Sequence, residues 1–180
     1  VISLDDFYLT GEELDRALKG NPWGVPRGIP GSHATKLLDK SILNWIKTGE
    51  LNTPQFDKAL RNGLGDRCEW RQSNPNVVVI EGWFLGCGIA TDISEVLSEE
   101  IQIDPDLTNE EKNYRLKIQK SLEEYQHIWS KLDRIWHLKA IDFNSTANWK
   151  QEQESKKGIR KQMKRKQTQK GKHKGNGNKK

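Results

Sequence analysis

The sequence predicts an α/β domain built on a parallel sheet, and three observations carry that expectation. The chain opens on a short apolar run, VISL, which suits a strand and ends at two adjacent carboxylates, Asp5 and Asp6. Residues 77–80 are a continuous β-branched run, VVVI, the pattern of a strand covered on both faces. Helical periodicity fills segments between and after these runs, and strands separated by helices imply parallel pairing through right-handed crossovers.

The elements follow in order. After the opening strand, Thr10 to Glu13 has capping-box spacing, Leu14, Ala17 and Leu18 share one helical face, and Gly20-Asn21-Pro22 stops the helix. Residues 21–33, NPWGVPRGIPGSH, are dense in Gly and Pro and predict an ordered loop or lid. Residues 35–48 place Leu38, Ile42, Trp45 and Ile46 at helical spacing, with Gly49 as the stop signal. Residues 53–75 are polar, carry turn signals at Asn62-Gly63 and Gly65-Asp66, and predict a long functional connection. Thr108 to Glu111 is a second capping box. It opens an amphipathic helix to about Leu132 with Tyr114, Ile118, Leu122, Tyr125, Trp129 and Leu132 on its inner face. Residues 135–141, IWHLKAI, are a further strand candidate, and no internal repeat is present.

Charge divides the chain. Of 30 Lys and Arg, ten Lys and two Arg lie in residues 155–180 with no Asp or Glu among them; residues 1–154 keep 18 basic and 25 acidic residues, a net −7. The basic pI of 9.1 is thus a property of the tail, and the body gives no reason to expect nucleic acid. An apolar fraction of 33% and a mean hydropathy of −0.87 fit a packed domain at 1–154 followed by a Lys-rich disordered tail at 155–180. Cys68 and Cys87 have neither zinc-site nor redox-motif spacing, and no apolar run approaches the roughly 20 residues of a membrane span. A reduced, cytoplasmic setting without membrane contact is the expectation.

In open parallel sheets, ligands bind outside the carboxyl ends of the strands. Two predicted strands end there in acids, one in Asp5 and Asp6 and one in Glu81. On an extended chain only one of the two Asp residues could face such a crevice. Glu81, abutting four aliphatics, must find a cation, donors or water. Lys58, Arg61 and Arg67 in FDKALRNGLGDR and Arg27 in PRGIPGSH supply the opposite charge on Gly-rich loops. Basic forks near strand-end acids suit an anionic substrate with Mg²⁺. The motifs H-E-x-x-H, G-x-S-x-G, G-x-G-x-x-G and G-x-x-x-x-G-K-[ST] do not occur in these residues.

Five blocks in order then carry a resemblance: SLDDFYLT (3–10), NP followed by RGIPGSH (21–33), PQFDKALRNGLGDR (54–67), VVVIEGWFLG (77–86) and, more weakly, NWKQEQE (148–154). The sequence resembles the D-glycerate 3-kinase family of P-loop kinases, relatives of uridine kinase and phosphoribulokinase. The resemblance implies a P-loop kinase-like parallel sheet flanked by helices, whose first strand and phosphate loop would lie ahead of Val1, so that the chain as given is expected to be feeble or inactive. It implies ATP and Mg²⁺ as cofactors and transfer of the γ-phosphoryl to a hydroxyl of a glycerate-like small molecule. Asp5 would be the catalytic base and approach Mg²⁺. Tyr8, Arg27, His33 and Lys58 would bind substrate, and Arg67 would act on the transferring phosphoryl. Glu81 would support the metal, and Lys150 would lie in the lid over the nucleotide. Another small hydroxylated substrate, a nucleoside or sugar acid, stays open. So does a reading of another class, a non-catalytic protein that binds RNA through the basic tail.

Overall fold

The computed structural model describes residues 1–92, 94, 106–139, 149–153 and 155. The chain divides into two compact units, Val1–Ile135 and Trp136–Lys180. In the second, residues 149–153 are helical. The Lys-rich segment predicted as a disordered tail lies, apart from Ser155, outside the described residues.

The first unit is mixed α/β. Strand β1 (Ile2–Ser3) pairs in parallel with β4 (Ile80–Glu81), Ile2 opposite Ile80 and Ser3 opposite Glu81. The opening strand is shorter than predicted, because the Ser3 hydroxyl accepts the Asp5 N–H at 3.3 Å and the chain curls into a 3-10 turn over Leu4–Phe7. Asp5 and Asp6 therefore sit in a turn and not at alternating positions of a strand. The VVVI run is not buried on both faces. Val78 and Ile80 pack against the core, whereas Val77 and Val79 are exposed, and only Ile80–Glu81 of this stretch is strand.

Helix α1 (Gly11–Ala17) begins where the Glu13 carboxylate reaches back to the Thr10 N–H at 2.9 Å and the Thr10 hydroxyl at 2.8 Å, the reciprocal cap that the spacing predicts. The 21–33 segment is an ordered loop held by Asn21, whose side chain bonds the Leu18 and Val25 backbone. Helix α2 (Thr35–Thr48) has the predicted bounds and ends at Gly49, whose φ of 78° is a left-handed cap that a side chain would strain. Leu38 and Ile42 are buried and Trp45 partly so, but Ile46 points outward at 59% exposure.

Residues 53–75 are the largest departure. They are not an irregular connection: β2 (Leu51–Asp57) and β3 (Asp66–Ser73) form an antiparallel hairpin, Leu51 opposite Ser73 through Asp57 opposite Asp66. Pro54 and the polar composition argue against a strand, yet the register shifts between Pro54 and Phe56, an irregularity of the kind that accommodates a proline. Helix α3 (Asn109–Trp129) starts at the predicted Thr108–Glu111 box and buries Leu122, Tyr125, Ile128 and Trp129. Residues 135–139 form no strand, and 140–141 lie outside the described residues.

The core joins these parts: Ile2, Leu4 and Phe7 from β1 and its turn, Leu38 and Ile42 from α2, Leu51 from β2, Phe84, and the buried face of α3. Gly82 permits the close approach of the β4 end, because a Cβ there would lie 2.8 Å from that of Leu4. Truncating Leu38, fully buried, to Ala is expected to cost about 2–5 kcal/mol in urea unfolding. The same change at exposed Ile46 is expected to stay within about 0.5 kcal/mol. Equal losses would contradict the observed orientation of α2.

Candidate active site

The parallel pair places the turn after β1 beside the carboxyl end of β4, so Asp5 and Glu81 share one end of the sheet. The two oxygens of Asp5 are both engaged. Tyr8, one turn on, donates its phenol to Oδ1 at 2.8 Å, and Lys58, from the loop after β2, donates Nζ to Oδ2 at 2.6 Å. Burial by itself would raise the Asp5 carboxyl; the bonds from Lys58 and Tyr8 outweigh it and hold the group below its ordinary range. Burial, together with the neighbouring Asp5 charge, pushes the Tyr8 phenol up, so it stays a donor.

Behind Asp5 lies an aromatic layer. The Tyr8 ring stacks on His33 with centroids 4.5 Å apart and meets Phe56 edge-on at 5.0 Å. His33 in turn meets Phe84 at 5.5 Å and Tyr125 at 5.9 Å. At 3% exposure, His33 is enclosed, and burial lowers it to about 4, so it is neutral at pH 7. Its Nδ1 bonds the Tyr125 hydroxyl at 3.0 Å, and its Nε2 has no partner among the described residues.

The two arginines serve backbone carbonyls. Arg67 donates Nη2 to the Tyr8 carbonyl at 2.7 Å, and Arg27 donates Nη1 to the Gly63 and Leu64 carbonyls at 3.0 and 2.8 Å. No carboxylate forms an ion pair with either among the described residues; Arg67 acts at longer range on Glu13, and the charge that meets Asp5 directly is that of Lys58. Arg61 pairs with Asp15 instead and stands apart from the acid. Glu81 is exposed and unbonded among the described residues; water meets the charge that its place after four aliphatics made conspicuous. Lys150 belongs to the second unit, in the helical stretch 149–153.

The structure thus brings together Asp5, Tyr8, His33, Lys58 and Arg67, with Arg27 bracing the hairpin loop that carries Lys58. Sequence reasoning missed Phe56, Phe84 and the polar end of Tyr125. Only the helical spacing of Tyr125 pointed inward, and that spacing reports burial without reporting what the hydroxyl meets. Asp66, also missed, accepts the Gly11 N–H at 2.8 Å and ties the hairpin to the start of α1.

This fold has counterparts among solved kinases. It superposes with a TM-score of 0.71 on a D-glycerate 3-kinase from Cryptococcus neoformans, over 88% of this chain and 59% of that one, at 23% identity, a likeness that shows the fold. In sequence the chain is 29% identical to the uncharacterized kinase mug58 of Schizosaccharomyces pombe, over 84% of this chain and 57% of that protein. It is 38% identical to the probable ATP-dependent kinase TDA10 of Saccharomyces cerevisiae, over 47% and 33%. It is 30% identical to the chloroplastic D-glycerate 3-kinase of Arabidopsis thaliana, over 75% and 29%. No protein-family profile matches. These homologues are all kinases, consistent with membership in a glycerate kinase-like family, and the chain spans between 29% and 57% of their lengths. No helix of the described residues is long and apolar enough to cross a membrane.

Because Asp5 is depressed in the fold, its ion pair stabilises the protein above the ordinary carboxylate range, and that contribution disappears as pH falls through the lowered value. Replacing Lys58 with Met leaves burial opposed by the Tyr8 bond and the weaker influence of His33. The Asp5 titration midpoint, followed by carboxyl-carbon NMR, is expected to move up and acid unfolding to begin at higher pH. An unmoved midpoint would refute the pairing.

Proposed function

We propose that this chain forms the acceptor side of an ATP-dependent kinase that transfers the γ-phosphoryl to a hydroxyl of a small, glycerate-like acid. The observation that carries this reading is Asp5 itself: a carboxylate kept ionised in the turn that follows a parallel strand, oriented by a phenol and paired with a half-exposed ammonium. An ionised acid so oriented can accept the proton of an incoming hydroxyl as that oxygen attacks phosphorus.

The residues around it divide the work. Lys58 is 55% exposed at its side chain, so an anionic substrate can draw it from Asp5 and take its charge. That exchange frees one carboxylate oxygen for the hydroxyl. Arg67, fixed through the Tyr8 carbonyl and in no ion pair among the described residues, would offer its positive charge to the transferring phosphoryl. The kinase names of the relatives support ATP as donor, and the name of the Arabidopsis relative supports glycerate. Lys150 would act in the nucleotide lid.

Mg²⁺ belongs to such chemistry. Among the described residues no three His, Cys, Asp or Glu side chains gather into a metal site, but Mg²⁺ characteristically uses one or two carboxylates and takes the rest of its shell from phosphate and water. Glu81, exposed and unbonded, fits that demand, with Asp5 beside it. When bound, the ion would supply neutralisation of phosphate charge.

The test extends the chain ahead of Val1 with a phosphate-binding loop of the G-x-x-x-x-G-K-[ST] type and follows ATP consumption with glycerate. Turnover is expected, and Asp5→Asn is expected to lower it by about 10²–10⁴-fold with nucleotide affinity changed less than about twofold. Undiminished turnover in Asp5→Asn would remove the base; consumption with a nucleoside and not with glycerate would replace the substrate.

A further inference from the structure

We propose that Tyr125 is a positioning residue for the Asp5 site, its hydroxyl locking the His33 ring and the Gly31 turn that form the bed beneath Tyr8. The ring of Tyr125 fills the buried stripe of α3, and Phe would do that equally well. Its oxygen is the feature that packing does not explain. Fully buried, it accepts the Gly31 N–H at 3.1 Å and lies 3.0 Å from His33 Nδ1. A phenol has one proton to give and two lone pairs to accept with, so the Gly31 N–H does not by itself fix the bond's direction; in the proposed lock the phenol donates to Nδ1. The proton of neutral His33 is then on Nε2.

From His33 the constraint passes to Asp5 without a gap. Tyr8 lies on the imidazole at 4.5 Å with planes 23° apart. The two residues also form a backbone bridge, flanked by Leu9 N–H to the Ser32 carbonyl at 3.0 Å and Ala34 N–H to the Phe7 carbonyl at 2.8 Å. Phe84 closes the edge, touching both His33 and Tyr125 at 5.5 and 5.3 Å. Tyr8 then donates to Asp5. Removing the Tyr125 oxygen leaves two polar groups unpaired in the interior, the Gly31 N–H and His33 Nδ1, and the surroundings must shift to meet them. Tyr8 is the first group that such a shift reaches.

The inference rests on the reading of Asp5 as the base for its meaning in turnover, but its physical half is tested without turnover. In the 180-residue chain at neutral pH, imidazole ¹⁵N NMR is expected to show His33 as the neutral Nε2–H form. A charged His33, or one protonated on Nδ1, would overturn the proposal with no variant needed. Tyr125→Phe is then expected to speed exchange of the Tyr8 hydroxyl proton at least about tenfold, a distant effect that simple loss of packing at α3 would not produce. Unchanged exchange in a folded Tyr125→Phe chain would overturn it too. Should Asp5→Asn retain turnover, the base reading fails while these two measurements still decide the Tyr125 link.

Discussion

The carboxylate of Asp5 is gripped from two directions, by the phenol of its own turn and by the ammonium of a distant hairpin, and the geometry of the site depends on that grip. The turn that carries Asp5 exists because Ser3 caps it as β1 ends. The hairpin reaches it because Arg67 bonds the Tyr8 carbonyl, while Arg27 closes the far loop. Two segments more than 50 residues apart are thereby fixed to one carboxylate. With the Lys58 side chain over half exposed, the pair contributes modestly to stability and far more to placement.

Charge around this point is unevenly spent. Lys58 is paired and movable. Arg27 and Arg67 are held by carbonyls, which take hydrogen bonds without cancelling charge. The result is one carboxylate neutralised by one ammonium, with two guanidinium groups anchored on neighbouring loops, in residues 1–154 whose net charge is −7. An anion entering this end of the sheet would meet the half-exposed ammonium of Lys58. Arg offers planar, rigid donors suited to such fixed roles, and Lys a flexible point charge suited to exchange.

Much of this was legible in the sequence where the signal was local. Capping boxes at Thr10 and Thr108, the stop at Gly49 and the inward stripe of α3 all depend on residues within a turn of each other. Resemblance in ordered blocks pointed to Asp5, Tyr8 and Lys58. What stayed hidden depends on distant partners. The β2–β3 hairpin is polar and contains Pro54, so its pairing is set by the register between strands and by burial of Leu51 and Thr53, which composition does not encode. The VVVI run spoke for two covered faces because apolar sequence records a capacity for burial, whereas Val77 and Val79 have no described neighbour to cover them. Tyr125 read as core, and its hydroxyl acquired meaning only when Gly31 and His33 were placed against it.

A double-mutant cycle between Asp5 and Lys58, with Asn and Met as replacements and stability measured by urea unfolding, tests the central contact most directly. The two single changes are expected to be non-additive at pH 7 by about 0.5–1 kcal/mol, with the coupling vanishing in acid once Asp5 is protonated. Additive effects at pH 7, or a coupling indifferent to acid, would contradict the account.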